Sequence, residues 1–275
     1  KGLQVDQRLI TAYSTILDSV LKNETLDKAI LANLLVLPTE AYISELSDEA
    51  DVDGIHEVRE HLRKQLGMAL EEQFLQVYNQ CQNETTYQFN AGEVARRKLK
   101  NTVVNYLACL DRNEHWACIR KQYNSANNMT DSSGALRAAV NNPSMQMPDM
   151  KEELLSHFYN KWKHETLVVE QWFSMQSAAS IPNNLPAIRG LMEHEAFEIR
   201  NPNKVRSVIG AFCHNNAVAF HQLDGSGYEF LTEQVQTLNS VNPQIAARLL
   251  TPLTRWKKYN QERQSLMQDA LRKIQ

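Results

Sequence analysis

Apolar residues recur every three or four positions along nearly the whole chain. Such spacing lines one face of an α-helix. The stretch from about Asp53 to Cys81 carries a stripe of this kind, and no run of residues alternates with the period of two that a strand requires. The pattern therefore predicts an all-α protein. A clear early example of the stripe is Leu9, Ile10, Tyr13, Ile16, Leu17 and Val20.

Asparagine, proline and glycine divide this pattern into separate helices. Asn201-Pro202 and Asn242-Pro243 each place a preferred N-cap residue before a proline, which is tolerated in the first helical turn. The run 224–227, Asp-Gly-Ser-Gly, predicts a tight turn, and Ser226 with Glu229 has the spacing of a capping box. The segment 141–148 contains two prolines and is predicted to be a loop or linker.

These boundaries predict about twelve helices joined by short connections. Antiparallel helices in series form either a compact bundle or a solenoid of stacked pairs. No self-similar period is present, so any solenoid must be irregular. We predict an irregular right-handed superhelix, similar to HEAT or armadillo solenoids, that forms one helical domain over residues 1–275.

Composition and charge exclude several classes of function. The chain has 275 residues, 43% of them hydrophobic, and a formal net charge of −3, which is unlike a disordered chain. The near-neutral charge and the shortness of the basic runs argue against a nucleic-acid partner. No apolar run approaches the ~20 residues that cross a membrane. The four cysteines include no Cys-x-x-Cys pair, and Cys109 and Cys213 are interpreted as buried free thiols. This cysteine usage favours a reducing compartment, so we expect a cytoplasmic protein.

The motifs of catalysis are missing from the sequence. A zinc peptidase helix needs His-Glu-x-x-His, and the nearest approach, His194-Glu-Ala-Phe-Glu198, has glutamate in place of the second histidine. No Gly-x-Ser-x-Gly elbow occurs, and the turn at 224–227 lacks the lysine of a phosphate-binding loop. We therefore predict no catalytic residue, no metal ligand and no cofactor in this chain.

Several runs of sequence resemble the C-terminal region of the bacterial aminopeptidase N family. The resemblance covers about Gln122 to Leu271, whereas the first hundred residues fit by position and helical character alone. The longest matching run, 201–212, reads Asn-Pro-Asn-Lys-Val-Arg-Ser-Val-Ile-Gly-Ala-Phe. The other matching runs are 128–131 with 135–136, 167–173, 220–221, 224–228, 242–249, 252–253, 256–257 and Tyr259.

The resemblance implies a larger parent enzyme, a zinc-dependent aminopeptidase that removes N-terminal residues from peptides. In this family an upstream domain carries His-Glu-x-x-His and the zinc, and a helical superhelix covers the active-site cleft. The chain begins at Lys1, without an initiator methionine, so we expect a non-catalytic C-terminal domain excised from such an enzyme. Its expected partners are the upstream catalytic domain of the same polypeptide and short peptide substrates.

Two arginines carry over from the family as residues that face the substrate chamber. Arg248 lies in the Ala-Ala-Arg-Leu match and Arg206 in the Lys-Val-Arg-Ser match. Each lies beside an apolar stripe of its predicted helix, where an arginine can bury its stem and extend its head to a concave surface. The alternative for each is a structural ion pair or a contact with a helix C-terminus. The alternative for the whole chain is a free-standing helical-repeat module that binds a partner protein.

Overall fold

A computed structural model describes residues 2–23, 25–82 and 85–274; Lys1 lies outside them. Within these ranges every regular element is helical, and the one β-type pairing is an isolated bridge between Ala50 and Tyr259. The prediction of an all-α fold is therefore confirmed.

The helices follow one another with short connections, as the sequence predicted. The first nine are α1 Gln7–Lys22, α2 Lys28–Leu34, α3 Glu40–Leu46, α4 Val52–Ala69, α5 Glu71–Gln80, α6 Ala91–Ala108, α7 Asn113–Ser125, α8 Met129–Val140 and α9 Met150–Trp162. The next are α10 Thr166–Ser177, α11 Leu185–Met192, α12 Pro202–Val205, a π turn Arg206–Gly210, α13 Ala211–Asn215 and α14 Ala217–Phe220. The last are α15 Ser226–Asn239, α16 Pro243–Leu249, α17 Thr251–Thr254, a 3₁₀ turn Trp256–Lys258 and α18 Gln261–Ile274.

The chain divides into two compact units. Unit 1 comprises residues 1–38 and 57–154, and unit 2 comprises residues 39–56 and 155–275. Each unit therefore consists of two separate stretches of the chain. Contacts between residues that are far apart in the sequence hold each unit together.

An aromatic cluster forms part of the core of unit 1. The Phe74 ring stacks on the Tyr106 ring at 4.5 Å between centroids, and Tyr13 meets Tyr106 edge-on at 6.2 Å. The Tyr106 hydroxyl donates a hydrogen bond of 2.6 Å to the carbonyl of Leu35, which satisfies the one polar atom of that buried ring. This cluster joins α1, α5 and α6 to the residue that follows α2.

The core of unit 2 contains a second aromatic cluster. Phe212 meets Phe220 at 5.9 Å and Phe230 at 5.6 Å, both edge to face, and all three rings are fully buried. Segment 39–56 is held to the rest of the unit by polar contacts. The Ala50 amide donates to the Lys258 carbonyl at 2.7 Å, and the buried Arg263 guanidinium is 2.7 Å from the Asp53 carboxylate.

The predicted capping box at Ser226 and Glu229 is wrong. Ser226 is the first residue of α15, and the N-cap position is taken by Gly225 in the left-handed region, at φ 75°. Asp224 instead accepts a hydrogen bond of 2.9 Å from the Ser226 amide. Glycine adopts this backbone conformation without strain, so the turn that precedes Ser226 shifts the helix start by one residue from the sequence expectation.

The Asn-Pro signals define helix starts as predicted. The Asn201 side chain accepts hydrogen bonds from the amides of Asn203 and Lys204, at 2.9 and 3.3 Å. The Asn242 side chain accepts from the Ile245 amide at 3.2 Å. In both helices the proline stands at the first position, where no amide donor is needed.

Segment 141–148 connects α8 to α9, and Asp111 holds it to the rest of unit 1. The Asp111 carboxylate accepts hydrogen bonds from the Ser144 hydroxyl at 2.5 Å and from the Met145 amide at 3.0 Å. It also accepts from the Trp116 indole at 2.7 Å. One carboxylate therefore anchors the middle of this loop to the start of α7.

His221 is a buried histidine of unit 2. Its Nδ1 lies 2.8 Å from the Tyr228 hydroxyl, and its ring packs on the Tyr259 ring at 4.3 Å between centroids. Burial, together with the nearby charge of Arg263, lowers the pKa of His221 from 6.5 to about 3. The folded chain therefore holds this imidazole in its neutral form across the physiological range.

We expect unit 2 to lose stability as the pH falls below about 6.5. The unfolded chain binds a proton at His221 near its ordinary pKa of 6.5, whereas the folded chain resists protonation down to about 3. The free energy of unfolding should fall by at most about 1.4 kcal/mol per pH unit from this group. Urea unfolding between pH 7 and pH 4 measures the slope.

The replacement His221→Asn isolates this contribution. It should lower stability at pH 7 and flatten the dependence on pH, because the titrating group is gone. His164→Asn is the matched control, since His164 is exposed in the same unit. An unchanged slope in His221→Asn would assign the acid sensitivity to other groups.

Candidate functional site

Arg206 lies at the start of the π turn that joins α12 to α13. The apolar stripe beside it, Val205, Val208, Ile209 and Phe212, is buried completely. A π turn inserts one extra residue into a helical stretch, and it occurs often at functional sites. The sequence contains no signal for it, since its residues keep the ordinary helical spacing of apolar positions.

The Arg206 side chain is exposed, although its stem starts from this buried segment. Its guanidinium donates a hydrogen bond to the side-chain carbonyl of Asn203, one turn earlier. No carboxylate lies within ion-pair distance of it among the described residues. The structural ion pair considered from sequence is therefore absent in this part of the chain.

Arg248 lies in the last turn of α16, beside the buried residues Ile245 and Leu249. Its side chain is exposed, and it forms no ion pair and no side-chain hydrogen bond with any described residue. Its backbone carbonyl, at the end of the helix, accepts a hydrogen bond of 2.9 Å from the Thr251 hydroxyl. This carbonyl therefore has a donor without the guanidinium. The charge of Arg248 is consequently free to meet an external anion.

The segments that carry the two arginines approach each other at Gly210. A Cβ atom placed on Gly210 would lie 3.8 Å from the Leu249 side chain and 3.8 Å from the Arg206 Cβ. Leu249 directly follows Arg248, so α16, which carries Arg248, packs against the π turn that begins at Arg206. Each guanidinium keeps its charge at all working pH values and can bind a carboxylate through two hydrogen bonds.

Lys204 is a third cation of this region but is buried. Its ammonium lies 5.4 Å from the centre of the Phe173 ring, and burial lowers the pKa of Lys204 from its ordinary value. A buried ammonium over an aromatic face is held by the ring and by packing. Of these three cations, only Arg206 and Arg248 are exposed.

His194 packs among aromatic rings in unit 2. It lies 4.6 Å from the Tyr159 ring and 5.1 Å from the Trp172 ring, between centroids. Its Nδ1 accepts a hydrogen bond of 3.1 Å from the Ala196 amide, and burial lowers its pKa. This environment is that of a packed histidine.

Ser180, His56 and Glu40 come together in unit 2 and include the residue types of a hydrolase triad. Their geometry differs from a triad, because the serine hydroxyl donates to the Glu40 oxygens at 2.9 and 3.0 Å. His56 Nδ1 also faces Glu40, at 2.8 Å. In a triad the histidine receives the serine proton, whereas here the carboxylate binds both partners. No sequence motif could reveal this cluster, since its members come from three separate segments.

Among the described residues, one group has the residue types and the spacing of a metal site. It consists of Glu71, Glu114 and His115, whose possible ligand atoms lie within 4.8 Å of one another. The Glu71 carboxylate is already bound on both oxygens, to Arg112 at 2.9 Å and to His115 at 3.1 Å. A metal would have to displace the arginine. The arrangement is thus a network of polar contacts. Its central residue, Glu71, lies about forty residues before Glu114 and His115 in the sequence, so a local motif could not reveal it.

Among the described residues, none of the helices combines the length and the apolar character that a bilayer crossing requires. The four cysteines are free, and Cys81 and Cys213 are buried. Cys109, which was also predicted to be buried, is half-buried.

Comparisons with known proteins place these features in a family. The sequence profile of a domain of unknown function, DUF3458_C, described as ARM repeats, matches residues 1–275. The chain is 40% identical over 256 residues to aminopeptidase N of Escherichia coli, covering 93% of this chain and 29% of the relative. It is 35% identical over 274 residues to aminopeptidase N of Haemophilus influenzae, covering 100% of this chain and 30% of the relative.

A solved structure has the same fold along the full length of the chain. It is the crystal structure of Legionella pneumophila aminopeptidase A in complex with aspartic acid, with a TM-score of 0.86 and 27% identity. The match covers 100% of this chain and 32% of that one. The chain thus spans about a third of the length of the relatives that it matches.

Proposed function

This chain belongs to the DUF3458_C family of ARM-repeat domains, which forms the C-terminal domain of aminopeptidase N. We propose that it is the non-catalytic domain of a zinc-dependent aminopeptidase and forms one wall of the substrate chamber. The enzyme would remove N-terminal residues from peptides. This domain would line the chamber in front of the active site and limit which substrates enter.

One observation carries the proposal: the match to aminopeptidase N extends over 93% of this chain but over 29% of the relative. Most of such an enzyme therefore lies outside this sequence. No two histidines of the sequence stand four residues apart, as His-Glu-x-x-His requires, and His194 is packed among aromatic rings. In the proposed enzyme, residues of the other domains hold the zinc and cleave the peptide.

The two exposed arginines suit a wall that meets peptides. Arg206 on the π turn and Arg248 on α16 present fixed positive charge, and neither forms an ion pair with a carboxylate of the described residues. A peptide brings a C-terminal carboxylate and, in some sequences, acidic side chains. An arginine binds a carboxylate in bidentate geometry, so the pair would hold a substrate at a distance from the zinc.

Exposed apolar side chains on α2 support a partner within the same polypeptide. Ile30 and Leu34 lie one turn apart on α2 and are 58% and 54% exposed. Val36 is 54% exposed, and Val94 on α6 is 43% exposed. A row of apolar side chains left in solvent is typical of a surface that another domain covers. We assign it to contact with the catalytic part of the enzyme.

The proposed location is the cytoplasm. Four free cysteines suit a reducing compartment.

A free-standing helical module that binds a partner protein is the alternative function. The exposed apolar row on α2 would then be its docking face. The two functions differ in whether this domain belongs to a peptidase. They can therefore be distinguished by comparing the chain alone with the full polypeptide that contains it.

We expect the 275-residue chain alone to cleave no alanyl chromogenic substrate, with or without added zinc. The full polypeptide that contains this domain should cleave the substrate. Replacement of Arg206 or Arg248 in it should reduce its selectivity for short peptides. Activity of the chain alone would contradict the proposal. A full polypeptide without peptidase activity would favour the interaction module.

A further inference from the structure

Asn203 lies in the first turn of α12 and contacts Arg206, one turn later. Its side-chain oxygen accepts a hydrogen bond from one nitrogen of the Arg206 guanidinium. The backbone of Asn203 is itself fixed, because its amide donates a hydrogen bond of 2.9 Å to the Asn201 side chain that caps the helix. A guanidinium has only donors, so the oxygen of the Asn203 side chain must be the atom that meets it. A neutral group therefore orients the exposed Arg206 side chain.

The same spacing elsewhere in the chain uses a carboxylate. In the first turn of α6, Glu93 stands three residues before Arg96, and the two form an ion pair of 2.7 Å. Glu60 and Arg63 form a second pair with this spacing on α4. Arg206 also has an acceptor three residues before it, but it forms no ion pair with a described residue. The difference lies in the charge of the acceptor.

Fold stability alone would favour an aspartate at position 203. The helical run 202–215, which comprises α12, the π turn and α13, has no acidic residue in its first turn. A carboxylate there would be stabilised by the free amides at the start of the helix and by an arginine three residues later. Aspartate has nearly the shape of asparagine, so no steric reason excludes it. The neutral amide therefore gives up stability and preserves the charge of Arg206.

An arginine held in this way remains able to bind an anion. Asn203 contacts one nitrogen of the guanidinium, and the described residues form no other hydrogen bond or ion pair with this side chain. A neutral acceptor orients the guanidinium in advance, so less conformational entropy is lost when a carboxylate binds. An aspartate would instead be an internal counter-ion that an incoming carboxylate has to displace.

We propose that Asn203 is a positioning residue for the substrate, which orients Arg206 toward the carboxylate of a peptide without neutralising its charge. This inference rests on the proposed function, in which Arg206 faces the peptide. Because Asn203 acts through Arg206, its effect should be confined to substrates that carry a free carboxylate.

The variant Asn203→Asp in the full polypeptide tests this role, with trialanine and trialanine amide as substrates. We expect the KM for trialanine to rise about two- to fivefold with kcat nearly unchanged, because the substrate carboxylate must compete with an exposed ion pair. The KM for trialanine amide should stay the same, since this peptide has no carboxylate. The melting temperature should stay the same or rise, whereas loss of a purely structural asparagine would lower it.

Asn160→Asp is the matched control, since it adds the same charge at an exposed asparagine of unit 2. Arg206→Ala is the second comparison. It should raise the KM for trialanine by itself, and adding Asn203→Asp to it should have no further effect.

The outcomes distinguish this inference from the proposed function. If Arg206→Ala raises the KM but Asn203→Asp does not, the positioning role is overturned and the proposed function stands. The same holds if Asn203→Asp still raises the KM in the Arg206→Ala background, or if Asn160→Asp raises it equally. An unchanged KM in Arg206→Ala would overturn both this inference and the role of Arg206 in the proposed function.

Discussion

Replacing Gly227 with alanine is expected to destabilise unit 2 by about 3 kcal/mol or more. A Cβ atom at this position would lie 2.1 Å from the Phe220 carbonyl oxygen and 2.7 Å from its carbon. Both are backbone atoms, and Phe220 itself is fixed by the rings of Phe212 at 5.9 Å and Tyr228 at 5.4 Å. Relief would require α14 and α15 to separate within the core. Thermal unfolding measures the loss.

Gly190→Ala is the control for this variant. Gly190 lies in α11, and a Cβ placed on it would meet no atom within 4 Å. Alanine at a helical position with free space should stabilise by about 0.5–1 kcal/mol. If Gly227→Ala melts at the temperature of the parent chain, the close approach of α14 to α15 is wrong.

Replacing Asp131 with alanine is expected to destabilise unit 1 by about 3–5 kcal/mol. The buried Lys100 ammonium would lose its partner at 2.7 Å and would remain in a place where burial already lowers its pKa. An unpaired buried charge is costly, whereas a buried pair replaced as a whole is often neutral. The free energy of unfolding in urea measures the effect.

The double replacement Lys100→Met with Asp131→Leu separates charge from packing. It should recover most of the stability that Asp131→Ala loses, because no charge is left buried without a partner. A double variant as unstable as the single one would show that the other contacts of the Asp131 side chain, among them the hydrogen bond of 3.2 Å that it accepts from the Asn128 side-chain amide, dominate instead.

Local sequence predicted most of the fold. Apolar positions every three or four residues gave the helices, and Asn201 and Asn242 cap the helices that they were expected to cap. These predictions succeed because a helix repeats within a few residues and its first turn needs a nearby side-chain acceptor. The capping box failed at Ser226 because Gly225 adopts a left-handed conformation that residue spacing does not express.

Contacts between distant segments could not be read from the sequence. Glu71 meets His115, and Glu40 meets both His56 and Ser180, only after the helices have packed. The π turn at Arg206 is equally silent in the sequence, since it changes the hydrogen-bond pattern without changing the apolar spacing. Arg248 and Arg206 were singled out by family resemblance, and the structure adds that both side chains are exposed.

The role of Arg248 is best tested by replacing it with alanine in the full polypeptide and measuring KM, kcat and the melting temperature together. We expect KM for short peptides to rise about tenfold, with kcat and melting temperature nearly unchanged, because a charged contact made equally in ground and transition states is lost. Peptides with an amidated C-terminus and no acidic side chain should show no such rise. Arg137→Ala is the matched control, since Arg137 is an exposed arginine in the last turn of α8. An unchanged KM with a lowered melting temperature would contradict the proposed wall and make Arg248 a structural residue.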